Sequence, residues 1–166
     1  MTTSTKNIKK VMIICSKGDM VSAMPSLVMA NGALMEGIEA EIFFTFFGLD
    51  IVRKKTMHKI HMTPLANPAM RLPASTLPFP NIVSVIPGIS RLATWMMQRK
   101  MDKLDIPTSP EFIDMIKAGG GKVWGCKLAM DMFGLKKEDL HDDIDGVLTI
   151  GQFYDRADVN TQIIFT

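Results

Sequence analysis

The sequence predicts an α/β protein with a flavodoxin-like, doubly wound sheet of five mostly parallel strands and helices on both faces. Three observations support this class. Short apolar runs alternate with segments whose apolar residues recur at helical spacing, the runs are nearly uninterrupted, and glycines or helix-capping residues separate the two. Because 166 residues are enough for one sizeable core, residues 1–166 are expected to form a single domain.

The first part of the chain predicts two strands around one helix. Residues 10–15 are an apolar run entered from a polar segment, and residues 40–47 are rich in Ile and Phe; both are typical of buried parallel strands. Between them, Asp19 is the predicted N-cap of a helix that ends at Gly37. The apolar positions of this helix that recur at helical spacing are Val21, Met24, Leu27, Val28, Leu34 and Met35.

The alternating pattern resumes in the last third of the chain. Ser109 as N-cap and Pro110 as the first helical residue predict a helix that stops at Gly119. The later elements alternate between strand and helix, at residues 122–126, 127–133, 146–150, 152–157 and 161–165. Strands joined by helices in this way imply right-handed crossovers and a parallel sheet.

Between these parts lies a long insert, about residues 58–105, that is rich in proline and methionine. A structureless segment of this length is uncommon in a compact domain and is usually functional or disordered. Residues 90–104 are predicted to form an amphipathic helix, which we expect to cover a neighbouring subunit; a membrane-surface element is the less favoured alternative. The residues that define it are Leu92, Trp95, Met96, Arg99 and Lys103.

Composition limits the possible partners. Apolar residues make up 47% of the chain and the mean hydropathy is +0.16, so we expect apolar surface to be buried in a homo-oligomer. The 19 basic and 17 acidic residues nearly balance, with no basic run longer than residues 53–55, which argues against nucleic acid. Neither a secretory signal nor an apolar span of about 20 residues is recognised, so the expected location is the cytoplasm.

Cys126 is the most informative candidate for chemistry. It ends a predicted strand and precedes a predicted helix, so its sulfur is expected at the carboxyl edge of the sheet, where such folds bind ligands. The amides of the first helical turn and the nearby Lys127 favour a thiolate there, which can attack a sulfane sulfur and hold it as a persulfide. From spacing alone, a small buried side chain is an equally good interpretation.

Cys15 occupies the analogous position after the first strand. If the strand order is that of flavodoxin, the first and third strands are neighbours and both thiols lie at one edge, where they could act as a relay or resolving pair. Cys15 is therefore a second candidate catalytic residue. An inert thiol that fills space under the loop is the better supported alternative.

Other motifs predict neither a cofactor nor a metal. His58 and His61 stand three residues apart without a third ligand at metal spacing. The acidic stretch at residues 142–146 lacks the rest of a calcium loop. Residues 119–122 fail as a P-loop because Val123 stands where Ser or Thr is required, and no dinucleotide-binding glycine motif follows the first strand.

Three stretches stand out as a set: Asn31-Gly-Ala with the helix before it, Phe43-Phe-Thr-Phe-Phe-Gly-Leu49, and Gly125-Cys-Lys-Leu-Ala-Met-Asp-Met-Phe-Gly134. Together they resemble the DsrE/DsrF-like sulfur-relay family, in its larger branch that is often labelled peroxiredoxin-like. The third stretch departs from the family pattern, because Leu128-Ala129 stands where Met-Ser is usual and Phe133 replaces a smaller residue.

The resemblance implies a homo-oligomeric protein whose cysteine carries sulfur as a persulfide, and Cys126 aligns with that cysteine. It also implies a rhodanese-like or TusA-like protein as sulfur donor or acceptor. We therefore expect a sulfurtransferase or sulfur carrier in intracellular sulfur trafficking. The alternative is a non-catalytic docking or binding module in which Cys126 is structural. Peroxidase activity is not expected, because the Pro-x-x-x-Thr-x-x-Cys pattern is absent.

Overall fold

The computed structural model describes residues 8–60 and 89–166. Within them, five parallel strands form one sheet in the order β4-β3-β2-β1-β5, which confirms the predicted α/β class. The strands are β1 (Lys10–Cys15), β2 (Glu39–Phe44), β3 (Lys122–Cys126), β4 (Gly146–Leu148) and β5 (Thr161–Phe165).

Five helices accompany the sheet in the described part of the chain. They are α1 (Met20–Met35), α2 (Ile89–Lys103), α3 (Ser109–Ala118), α4 (Lys127–Phe133) and α5 (Ile150–Tyr154). The same described residues also contain three short 3-10 turns, at Phe46–Ile51, Met57–Lys59 and Lys137–Asp139. Element types and order follow the sequence prediction, and the bounds differ by up to three residues.

The strand order is not that of flavodoxin. β2 lies between β1 and β3, because Phe44 is in register with Cys15 on one side and with Gly125 on the other. The expectation that the first and third strands are neighbours is therefore wrong. The steps from β1 to β4 each move one strand in the same direction, and the crossover through α5 returns the chain to the far side of β1.

Helices cover both faces of the sheet. Successive strand residues point to opposite faces, so Phe43 and Phe44 belong to different layers. Phe44 is fully buried in the layer that α1 and α3 cover. Phe43 points to the other face, where α5 places the ring of Phe153 at 4.9 Å from it, centroid to centroid. The core therefore has two layers, with the carboxyl ends of the strands at one edge.

Helix α1 begins and ends where the sequence predicts, but it buries a different face. The Asp19 carboxylate accepts hydrogen bonds from the amides of Val21 and Ser22, and Gly37 follows the helix with φ of 72°. The residues buried against the core are Met20, Ala23, Ser26, Leu27 and Ala30. Of the predicted stripe only Leu27 is fully buried, whereas Val21, Val28 and Met35 are exposed, because small side chains let the helix approach the sheet closely.

Helix α3 begins at Ser109, one residue earlier than the sequence predicted. Thr108, not Ser109, is the N-cap residue, and it forms a capping box with Glu111. Thr108 donates its amide hydrogen to the Glu111 carboxylate at 2.7 Å. Pro110 lies in the first turn as predicted.

Helix α2 confirms the amphipathic helix predicted at residues 90–104. Leu92, Trp95 and Met96 are exposed, while Met97 and Met101 pack partly against the core. Residues 61–88, the larger part of the predicted insert, lie outside the described residues. None of the described helices is long and apolar enough to cross a bilayer.

Candidate functional site

Cys126 lies at the junction between β3 and α4. It is the last residue of the strand and the N-cap residue of the helix, at the carboxyl edge of the sheet. Its side chain is 2% exposed, and its thiol makes no hydrogen bond within the described residues. The position agrees with the sequence prediction that a strand end and a helix start meet at this residue.

A cavity of about 420 Å³ opens beside Cys126. We call this cavity the Cys126 pocket. The sheet forms its floor, the segment after β2 one wall, and helices α4 and α5 the others. Its lining consists of Ile14, Phe43, Thr45, Phe46, Cys126, Leu128, Ala129, Asp131, Met132, Ile150, Phe153 and Tyr154. Most of this surface is aliphatic or aromatic, as is usual for small-molecule sites.

Helix α5 supplies the aromatic wall of the Cys126 pocket. The Thr149 hydroxyl accepts a hydrogen bond from the Gln152 amide, and the Gln152 side chain accepts one from the Thr149 amide. This capping box fixes a helix of only five residues. Phe153 then packs on Phe43 from the sheet and edge-on against Tyr154, with centroids 5.5 Å apart.

The segment after β2 shapes a second wall. Phe46 has φ of 46°, a left-handed conformation that is costly for a residue with a side chain. A Cβ on Gly48 would overlap the carbonyl oxygen of Cys15, so only glycine allows this close approach to β1. The Gly48 amide donates a hydrogen bond to the Ser16 carbonyl at 3.1 Å. The turn is therefore held to β1 while Phe46 faces the Cys126 pocket.

Helix α4 divides its side chains between the core and the Cys126 pocket. Ala129 and Met130 are buried, while Leu128 and Met132, four residues apart, line the pocket and are more than half exposed. Gly134 ends the helix in the left-handed conformation, with φ of 63°. Leu128 and Met132 thus form a rim that is open to solvent.

Lys127 pairs with Asp131 on the same helix, four residues further on. Both side chains are more than half exposed. Lys127 was expected to act as a cation near the thiol, and in the structure its ammonium group contacts the Asp131 carboxylate.

Cys15 lies on the opposite face of the sheet, under α1. Its thiol donates to the Lys17 carbonyl at 3.6 Å, and burial raises the pKa of this thiol despite hydrogen bonds with Ser26 and Thr166. β2 separates it from β3, so two strand spacings, about 10 Å, lie between the two cysteine positions. A disulfide needs Cα atoms within about 7 Å. The structure does not bring the two candidate cysteines together.

Glu41 on β2 is a buried anchor on the same sheet face as Cys126. Its carboxylate accepts hydrogen bonds from Arg156 Nε at 2.6 Å and Trp124 Nε1 at 2.7 Å, and it pairs with Lys10 at 2.6 Å. Burial opposes ionisation, but these partners outweigh it and hold the pKa of Glu41 below its ordinary value. Since Arg156 follows α5, this network ties the pocket's aromatic wall to the sheet.

The weaker motifs of the sequence analysis have structural explanations. In the acidic stretch, the Asp145 carboxylate accepts from Lys117 at 2.6 Å and from the Val123 amide at 2.8 Å, and so fastens α3 to β3. Asp142 pairs with Lys54 at the surface. His58 is exposed, and His61 lies outside the described residues.

One carboxylate-histidine group was not predicted from the sequence. Asp114, His141 and Asp143 bring their ligand atoms within 4.8 Å of one another. They come from α3 and the segment before β4, so spacing along the chain gave no signal. Exposed acidic groups of this kind are common without an ion, and we assign no metal to them.

Thr45, Phe46 and Phe153 were likewise missed as pocket residues. Thr45 and Phe46 lie inside a motif that the sequence analysis singled out, and that motif was the available signal. The sequence around Phe153 gave no signal of a pocket residue. Its position in the pocket depends on the crossover through α5, which returns the chain across the sheet to β5.

Fold and pocket together define a parallel α/β protein with a cysteine set in an apolar pocket at the carboxyl edge of its sheet. The chain belongs to the DsrE/DsrF/DrsH-like family, whose model matches residues 7–164. The family resemblance drawn from the three sequence stretches is thereby confirmed.

Two curated relatives cover most of the chain. It is 30% identical over 154 residues to the sulfur carrier protein DsrE2 of Allochromatium vinosum, which covers 91% of this chain and 96% of that one. It is 28% identical over 149 residues to the uncharacterized protein YrkE of Bacillus subtilis, with 85% and 87% covered.

Solved structures share the fold at low identity. The protein of unknown function MTH1491 from Methanobacterium thermoautotrophicum aligns with a TM-score of 0.57 and 9% identity, covering 95% of this chain and 98% of that one. The ychN protein from E. coli aligns with a TM-score of 0.53 and 12% identity, covering 96% and 100%. At these identities the likeness shows the fold alone.

Proposed function

We propose that this protein is a sulfur carrier in a sulfur relay, and that Cys126 accepts sulfane sulfur as a persulfide and passes it to a partner protein. The observation that carries the proposal is the position of Cys126 beside an apolar pocket at the carboxyl edge of the sheet. Membership of the family and the 30% identity to a protein named as a sulfur carrier support the same role.

The proposed chemistry is a transfer without net oxidation. The Cys126 thiolate attacks the outer sulfur of a donor persulfide, R–S–SH. A new sulfur–sulfur bond forms to Cys126, the donor's sulfur–sulfur bond breaks, and the donor leaves as the thiolate R–S⁻. Discharge is the same reaction with a partner's thiolate as the attacking group. Neither direction requires an external oxidant or reductant.

Cys126 is a better carrier than Cys15 for a physical reason. Cys15 is 0% exposed and burial raises its pKa, which lowers the fraction of nucleophilic thiolate. Cys126 is also buried, at 2% exposed, but its side chain borders a cavity large enough to admit a small sulfur compound. The role of Cys15 in the proposal is structural.

The proposal includes partner proteins, an oligomer and a compartment. A relay needs a donor and an acceptor, which we propose to be rhodanese-like or TusA-like proteins. The exposed apolar residues Leu92, Trp95 and Met96 of α2 favour a homo-oligomer, in which a second copy covers them. We place the protein in the cytoplasm, where free thiols remain reduced.

Intact-mass spectrometry tests the proposal. The protein is incubated with polysulfide, thiosulfate or a persulfidated donor protein, and we expect a gain of one or more sulfur atoms that dithiothreitol removes. Cys126→Ser should gain none, whereas the matched variant Cys15→Ser should load like the wild type. Absence of any adduct with every donor would support the alternative, a docking module in which Cys126 only fills space.

A further inference from the structure

In the described part of the chain, Thr45 is buried and its hydroxyl has no hydrogen-bond partner. Thr45 is 8% exposed and lines the Cys126 pocket, and within the described residues its hydroxyl makes no hydrogen bond. Its amide, by contrast, is paired with the Cys15 carbonyl at 3.0 Å. Because an unsatisfied buried hydroxyl is costly, its position at the wall of a pocket makes a bound ligand one candidate partner.

The sheet register places Thr45 next to Cys126. Phe44 is in register with Gly125 across β2 and β3, and the following residue of each strand is still extended, at Thr45 and Cys126. These two residues therefore lie side by side on one face, about 5 Å apart between strands. A sulfur atom bound to Cys126 would be within reach of the Thr45 hydroxyl.

The Cys126 pocket offers little to an anion. Among the described residues that line it, only Asp131 is charged, and this carboxylate is paired with Lys127. Aromatic and aliphatic side chains form most of the remaining surface. Transfer of an anion such as thiosulfate into this environment would remove its hydration without a compensating cation.

We infer that the Cys126 pocket binds sulfane sulfur on an uncharged, apolar organic carrier, and that the Thr45 hydroxyl donates a hydrogen bond to the transferred sulfur. This inference rests on the proposed function and names its substrate class. In the transfer, the Cys126 thiolate attacks the outer sulfur of an alkyl or aryl persulfide in its neutral form, R–S–SH, and a new sulfur–sulfur bond forms to Cys126. The sulfur–sulfur bond of the carrier breaks, and the apolar thiolate leaves with the electron pair.

Methanethiosulfonate reagents test the preference of the pocket for apolar groups. Each reagent transfers its S–R group to a thiolate and releases methanesulfinate, so only the group R differs. The benzyl, sulfonatoethyl and trimethylammonioethyl reagents are compared on the Cys15→Ser protein and on glutathione. We expect the ratio of benzyl to sulfonatoethyl rates at Cys126 to exceed that of glutathione at least tenfold. An equal ratio, or a trimethylammonioethyl rate that matches the benzyl rate, would overturn the apolar assignment.

A lysine at the pocket rim provides a matched control for charge. Leu128 is 61% exposed, so Leu128→Lys should fold normally while placing a cation at the pocket mouth. We expect this variant to raise the ratio of the sulfonatoethyl rate to the benzyl rate several-fold. If this ratio is unchanged, the exclusion of anions does not arise from this pocket.

A pair of substitutions tests Thr45. Thr45→Val keeps the shape and removes the hydroxyl, whereas Thr45→Ser keeps the hydroxyl. We expect Thr45→Val to slow loading of Cys126 from benzyl persulfide about tenfold, the scale of one hydrogen bond to a charged group, and Thr45→Ser to restore most of the rate. Because the hydroxyl is unpaired, the melting temperature of Thr45→Val should not fall. A lowered melting temperature with unchanged loading would show a structural role instead.

The outcomes also separate this inference from the proposed function. If Cys126 never gains sulfur from any donor, the proposed function fails. If it gains sulfur from thiosulfate as readily as from benzyl persulfide, and Thr45→Val loads normally, the proposed function stands and the inference fails.

Discussion

The rings of Phe47 and Phe133 pack against each other with centroids 5.6 Å apart and a 39° tilt. Phe47 belongs to the turn after β2, and Phe133 is the last residue of α4. The contact therefore joins the two sequence motifs that flank the Cys126 pocket. Since α4 has only seven residues, an anchor at its far end helps to fix the helix that begins next to Cys126.

Removal of this aromatic contact should loosen the pocket. In Phe133→Ala, we expect the free energy of unfolding to fall by about 1 kcal/mol, the scale of one aromatic pair, and labelling of Cys126 by a neutral maleimide to become faster. Denaturant titration and a labelling time course measure the two effects. Leu104→Ala, an exposed position without a ring contact, serves as control. Unchanged labelling in Phe133→Ala would show that the contact does not hold α4.

Gly48 should be intolerant of any side chain. A Cβ at this position would overlap the Cys15 carbonyl oxygen, and backbone cannot yield as a flexible side chain can. We expect Gly48→Ala to lower the free energy of unfolding by about 3 kcal/mol or more. The matched control is Gly32→Ala in α1, where nothing lies within 4 Å of the new Cβ; this variant should gain about 0.5–1 kcal/mol. Equal effects of the two substitutions on denaturant unfolding would refute the steric argument.

Glu41 should make the free energy of unfolding depend on pH. Its pKa in the folded chain lies below the ordinary value of a glutamate, because the hydrogen bonds from Arg156, Lys10 and Trp124 outweigh the effect of burial. A carboxylate whose pKa is lower in the folded than in the unfolded chain stabilises the fold at pH values above its unfolded-state pKa. This stabilisation is lost as the pH falls through its folded-state pKa. The loss of stability on Glu41→Gln should therefore be larger at pH 7 than below pH 4.

Chemical denaturation of wild type and Glu41→Gln at both pH values measures this difference. Glu39→Gln is the control, since Glu39 is exposed at the start of the same strand and surface substitutions change stability by about 0.5 kcal/mol or less. A Glu41→Gln effect that is the same at pH 7 and below pH 4 would argue against a depressed pKa.

Helix α2 should carry a subunit contact. Trp95 is 50% exposed and Met96 is 42% exposed, and a second copy would remove this apolar surface from water. We expect the double variant Trp95→Gln, Met96→Gln to have a lower mass in light scattering, or to label faster at Cys126. Met115→Gln on α3, exposed to a similar degree, is the matched control. If mass and labelling stay unchanged while the wild type binds liposomes, α2 is a membrane-surface element.

Most helices and strands were predicted from local signals such as capping residues and apolar spacing, because these signals lie within or next to the element they specify. The carboxylate of Asp19 caps α1 and Gly37 ends it, as their residue types predicted. The buried face of α1 could not be predicted in the same way. Ala23 and Ala30 are buried because the sheet lies close to them, whereas Val28 is exposed. Hydrophobicity alone would have predicted that the larger valine is buried.

The candidate site was predictable in part. Cys126 could be located from the boundary between a strand and a helix, both of which are local. The strand order depends on which edge each crossover reaches, so the separation of Cys15 from Cys126 by β2 could not be derived from spacing. Phe46 adopts a positive φ that its residue type disfavours; surrounding contacts impose that conformation, and a single sequence does not contain them.

The placement of Cys15 and Cys126 on opposite faces of the sheet has a kinetic consequence. For the persulfide proposed at Cys126, no second thiol of the same chain can receive the sulfur, so discharge is bimolecular. The lifetime of the loaded protein then varies inversely with the concentration of an external acceptor. In the proposed role, the loaded protein would hold its sulfur until an external thiol reaches the pocket mouth.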